Sequence, residues 1–231
     1  MFLRPNRDRA KTAILLIYIM MALQILFAFS HYLQYELLGN LEKGIVEYDD
    51  AQSNDTRQQF IAIIIIAMSI VSAVTFIQWF RRAYFNLHTV SDGLKYTEGW
   101  AAGAWFVPIL NLFRPYQIMR ELFDVSSRVI SEKMGGFQPK SYLNAVNFWW
   151  ALWIISNVVA NLTFRLMPNS GSIEDLRTET VVGIFTALLE VPLALITVKV
   201  IKLYAEQEEV LNDAVQLDIN TIGADTSTHI Q

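Results

Sequence analysis

The chain has 231 residues, 53% apolar and 17% charged, with a formal net charge of −4 and no cysteine. The apolar residues fall in long blocks, which excludes an ordinary soluble domain: a helix rising ~1.5 Å per residue needs about 20 of them to cross ~30 Å of hydrocarbon. Disulfides and thiolate chemistry are excluded, no basic balance points to nucleic acid, and His31, His88 and His229 are too far apart to suggest a metal site.

Residues 1–12 carry Arg4, Arg7, Arg9 and Lys11 ahead of the first apolar block, 13–33. That block exceeds the ~7–15-residue core of a signal peptide and no small-residue cleavage site follows it, so it reads as span one. The segment 34–59, with Glu42, Glu47, Asp49, Asp50 and Asp55, reads as an acidic outer loop with room for a short helix. Span two is 60–80. Helices are required in each span, because an open strand in lipid leaves its backbone polar groups unpaired.

The segment 81–145 is the most informative. A turn is expected at Asp92-Gly93, followed by GWAAGAWFVPILNLFRP at 99–115. Interrupted by Gly99, Gly103, Pro108, Asn111 and Arg114, this piece is a poor fifth span; a bent hairpin, re-entrant or interfacial, fits better. The Gly99/Gly103 spacing is a small-xxx-small pattern that lets helices approach closely. Asn111 and Arg114 would either hold an anionic group or cap the hairpin.

Residues 116–134 place Ile118, Leu122, Val125, Val129 and Ile130 at helical spacing, with Pro115 suited to the first helical position. This amphipathic helix lies either on the inner membrane surface or against another cytoplasmic element. Arg120, Asp124 and Arg128, four apart, can pair along it. Span three (146–164), a second outer loop (165–180), span four (181–201) and an acidic tail (202–231), helical at first and then disordered, complete the chain. The expected fold is all-α: a four-span transmembrane bundle with a proline-broken hairpin and an amphipathic interfacial helix.

Fourteen of the eighteen Lys and Arg lie in the N-terminal segment, in 81–140 and at the end of span four. An excess of Lys and Arg marks the cytoplasmic side, so both termini and the middle segment are expected there. Trp79, Tyr84, Trp149, Trp150 and Tyr204 sit near span ends, where amphipathic rings favour the headgroup layer.

Trp79, Arg82 and Asn86, followed by Gly99, Trp100, Gly103, Trp105-Phe106-x-Pro108, Asn111, Pro115 and Glu121, resemble the signature of the domain of unknown function 4328 family. The resemblance implies a multi-pass protein of the bacterial inner membrane and brings no established activity with it.

Glu190 stands at the centre of span four, where a carboxylate costs about 2.5–3.5 kcal/mol. Counted inward from the outer face, Gln24, Ser69 and Asn157 lie within about one helical turn of it in depth. Pro192 beside it is expected to open the helix and free a carbonyl. The four side chains would form either a mid-membrane cation or proton site or a polar layer that fixes packing. No cofactor or catalytic motif stands out. A scaffold or regulatory partner subunit, associated with membrane lipid and with further copies or another membrane protein, is the expected role. An oligomeric channel or transporter around Glu190 comes second and a membrane enzyme third.

Overall fold

The computed structural model describes all residues except 1, 2, 46, 136, 138–140, 167–171 and 229–231, with 166 and 218–228 described by their backbone. His229 lies outside the described residues. The elements are α1 (Arg7–Leu41), α2 (Tyr48–Val90), α3 (Trp100–Gly103), a 3-10 turn at Leu110–Leu112, α4 (Arg114–Met134), α5 (Leu143–Leu166) and α6 (Ile173–Thr228). The described residues contain helices and turns and no strand. Helices α1, α2, α5 and α6 are each long and apolar enough to cross a membrane.

The helices outrun the apolar blocks that announce them. The acidic segment after span one is mostly helical, since α1 continues to Leu41 and α2 begins at Tyr48. Helix α6 passes through Pro192 without a break and continues to Thr228, where a disordered tail was expected. Polar sequence stays helical there because an apolar stripe persists: Ile201, Tyr204, Leu211 and Val215 recur at spacings of three, seven and four and are buried.

The segment 99–115 is broken as expected. Helix α3 is one turn long, residues 104–109 run as turns, and the chain re-enters helix at Arg114 with Pro115 in the first turn of α4. Gly93 has a φ of 80° and carries the turn after α2. Gly135, with a φ of 65°, ends α4 as its amide reaches the Ser131 carbonyl. Among the described residues no helix approaches Gly99 or Gly103 closely enough for the small-xxx-small reading: within 4 Å an added Cβ would meet nothing at Gly99 and only the nearby Trp100 ring at Gly103.

The chain forms two compact units. One comprises 1–14, 74–150 and 198–231; the other comprises 15–73 and 151–197. The core of the first is aromatic. Trp79, Phe80, Tyr84, Phe123, Trp149 and Tyr204 are all at most 2% exposed. Trp79 meets Tyr204 edge-on at 6.2 Å, Phe123 meets Tyr204 at 5.3 Å, and Phe76 meets Trp105 at 5.5 Å. These rings form a protein core, not a belt facing headgroups. The apolar face of α4 is likewise covered by protein, with Ile118, Met119, Leu122 and Ile130 fully buried. Of the two placements open to this helix, it takes packing on its own chain.

The second unit is tied at one end. Arg57 binds Ser30 Oγ at 3.0 Å and Asn54 Oδ1 at 2.6 Å, linking α2 to α1. Arg177 of α6 pairs with Glu42 at 3.3 Å and lies over the Tyr35 ring. Gly183 admits the His31 ring so closely that an added Cβ would sit 3.0 Å from it, and the ring would have to shift by a few tenths of an ångström to make room.

Candidate functional site

A buried, hydrogen-bonded cluster in the first unit centres on Glu208, on the extension of α6. Its carboxylate is buried and divided between two amides: Asn86 Nδ2 donates to Oε1 at 2.7 Å and Asn6 Nδ2 to Oε2 at 2.9 Å. Asn86 also grips the backbone of Arg4, donating to its carbonyl at 2.9 Å and accepting from its amide at 3.0 Å. The N-terminal segment is thereby strapped onto α2. Burial pushes the Glu208 carboxyl above its ordinary range, against the opposing pull of Asn86, Asn6 and the Arg82 guanidinium.

The adjacent residue holds α4. Gln207 Nε2 lies 2.9 Å from the Phe123 carbonyl, 2.7 Å from Ser126 Oγ and 2.8 Å from Ser127 Oγ. Adjacent positions on a helix point about 100° apart, so these two side chains clamp different neighbours from one turn. Neither residue stood out in the sequence. Their position within the buried stripe between Tyr204 and Leu211 was the available signal.

A second cluster holds the loop after α2. The Tyr84 hydroxyl donates to Glu121 Oε2 at 2.6 Å, and Glu121 Oε1 accepts the Lys95 amide at 2.7 Å. Burial and then the Glu121 carboxylate raise the Tyr84 phenol well above its ordinary value, so it remains a donor. Arg114 is stacked between Tyr96 at 4.4 Å and Trp100 at 4.7 Å. Asp124 accepts a short bond from the Tyr142 hydroxyl. Asn111 is half-buried, with Oδ1 lacking a hydrogen-bond partner. Trp150 Nε1 reaches the Leu112 carbonyl at 3.1 Å and anchors the hairpin, whose Phe106 and Ile109 are more than 70% exposed beside an exposed Pro108.

The mid-span residues are not brought together. Glu190 and Gln24 are half-buried, while Ser69 and Asn157 are exposed, and no hydrogen bond joins these four side chains among the described residues. Asn157 Nδ2 turns back to its own helix, to the Trp153 carbonyl at 2.8 Å. The polar group of α5 that Glu190 does sense is the neighbouring Ser156. Ser156 Oγ is buried and makes no hydrogen bond of ordinary geometry, so the pair is proximate but not bonded. Among the described residues no three His, Asp or Glu side chains converge as metal ligands.

Four helices long and apolar enough to cross a membrane define an integral, multi-pass membrane protein. The chain belongs to the domain of unknown function family DUF4328, whose model matches residues 43–206. No curated protein and no solved structure matches it. The motif residues Trp79, Arg82, Asn86, Gly99, Trp100, Gly103, Trp105, Pro108, Asn111, Pro115 and Glu121 all fall within the first unit.

Proposed function

We propose that the protein is a non-catalytic scaffold or partner subunit of a bacterial inner-membrane assembly, acting from its motif-bearing unit. The supporting observation is that Glu208, Asn86, Asn6 and Gln207 are bonded into a preorganised cluster of the first unit, whereas Glu190, Gln24, Ser69 and Asn157 do not converge. The hairpin tip, too short to cross and strongly apolar, is suited to lie in the adjoining lipid leaflet. In proteoliposomes the protein is expected to conduct neither protons nor alkali cations above empty vesicles. Flux abolished by Glu190→Gln would replace the scaffold with a transporter.

One observation favours that alternative. Ser69 and Asn157 are exposed at mid-span depth, where a second copy would offer these side chains polar partners that lipid does not. A channel assembled from several copies is the form it would take.

Both termini are assigned to the cytoplasm, a direction that rests on the distribution of Lys and Arg. In this cysteine-free chain, Ser53→Cys is expected to react with a membrane-impermeant maleimide in intact cells. Ser131→Cys is expected to react only after permeabilisation. The reverse pattern would invert the protein.

A further inference from the structure

A cleft of about 390 Å³ in the first unit is lined by Arg4, Arg9, Arg81, Arg82, Phe85 and Glu98, with Gln78 at its edge. Four guanidinium groups face one carboxylate, and that carboxylate is engaged by Arg81 at 3.2 Å. Among the described residues, Arg4, Arg9 and Arg82 have no carboxylate at ion-pair distance.

Three features distinguish the cleft from a solvated basic face. The backbone of Arg4 is pinned on both its amide and its carbonyl by Asn86, so one wall is preorganised. The Arg4 guanidinium lies 4.1 Å from the Phe85 ring centre and that of Arg82 6.0 Å from the same ring, which orients both planar groups. Arg82 is only partly exposed, and its basicity is lowered first by burial and then by Arg9, Arg4 and Arg81, against the opposing pull of Glu208. The fold therefore keeps like charges together at a cost that a bound anion would relieve.

Location narrows the choice of anion. Arg81 and Arg82 directly follow the apolar block 60–80, and Arg9 lies one helical turn before the block 13–33. This is the depth of lipid headgroups. The guanidinium fork matches the oxygens of a phosphate in paired, charge-assisted hydrogen bonds.

We propose that the cleft formed by Arg4, Arg9, Arg81 and Arg82 binds a phosphate group, that of an anionic lipid or of a soluble phosphate compound. The site does not depend on whether the protein acts as a scaffold or a transporter.

The test uses the full chain in neutral detergent, titrated with phosphatidylglycerol and, separately, with phosphatidylcholine, with bound lipid counted by native mass spectrometry. Retention of phosphatidylglycerol over phosphatidylcholine is expected, weakening about fivefold for each arginine lost in Arg9→Gln and Arg82→Gln. Arg7→Gln is the control, because Arg7 lies at the same depth but pairs with Glu209 outside the cleft; it is expected to change retention less than about twofold. A second arm adds inorganic phosphate and pyrophosphate. Displacement of the lipid, or an arginine-dependent rise in melting temperature without lipid, supports the site and identifies a soluble phosphate as able to fill it. Equal loss in Arg7→Gln and Arg9→Gln would reduce the effect to diffuse surface charge and overturn the proposal, as would a wild-type protein that retains neither ligand. Arg9 is exposed and makes no hydrogen bond among the described residues, so Arg9→Gln serves as the reporter if Arg82→Gln does not fold.

Discussion

Replacing Glu208 with leucine is expected to lower the melting temperature of the detergent-solubilised protein by roughly 5–10 °C, because each buried amide donor left unpaired costs about 1–3 kcal/mol. The donors are Asn86 Nδ2 and Asn6 Nδ2. Loss of their shared acceptor loosens the strap at Arg4, so trypsin should cut at Arg7 and Arg9 in the variant well before it cuts the native protein; the bond after Arg4 precedes Pro5 and is not a trypsin site. Glu208→Gln should behave differently. Its carbonyl still accepts from one asparagine, and its amide can donate to Asn6 Oδ1, which is buried and has no partner.

The same pair of variants fixes the sign of the pH dependence. Burial raises the carboxyl of Glu208 in the folded state, so the native protein holds this proton more tightly than the unfolded chain. Its contribution to stability is full below the ordinary carboxyl range and declines as pH rises through the raised folded value. Wild type should therefore lose stability relative to Glu208→Gln between mildly acidic and neutral pH. A difference that is flat with pH, or a Glu208→Leu protein as stable and as trypsin-resistant as wild type, would remove Glu208 from the centre of this unit.

The spans were legible because hydrocarbon thickness dictates block length, and 13–33, 60–80, 146–164 and 181–201 each answer to that one requirement. Helix α4 was legible through its period and through Pro115. What the sequence could not disclose is direction. Depth can be counted along a span, which put Asn157 level with Glu190. Facing changes by 100° per residue: Ser156 is buried, while Asn157 is exposed and turns back to its own helix. The Glu208 cluster was hidden for another reason: its members come from positions 6, 86 and 208, and no local pattern joins them. The aromatic residues at span ends were misread because lipid headgroups and a protein core attract the same amphipathic rings. Only the contacts of Trp79 with Tyr204, far apart in the chain, decide between them.

That decision carries the largest expected effect in the molecule. Trp79 is fully buried between Phe76, Phe80 and Tyr204. Trp79→Ala opens a large cavity in a core that cannot collapse around it, at a cost of about 3–5 kcal/mol. For a chain of this size that corresponds to a fall of roughly 10 °C or more in melting temperature. Trp79→Phe provides the contrast. The indole Nε1 is buried without a hydrogen-bond partner, so phenylalanine surrenders volume but also removes an unsatisfied donor. Its cost should be roughly a third of the alanine variant's or less. A ring serving the headgroup layer would reverse this order of readouts: in detergent both variants would melt like wild type, and the defect would appear only as poorer insertion into membranes.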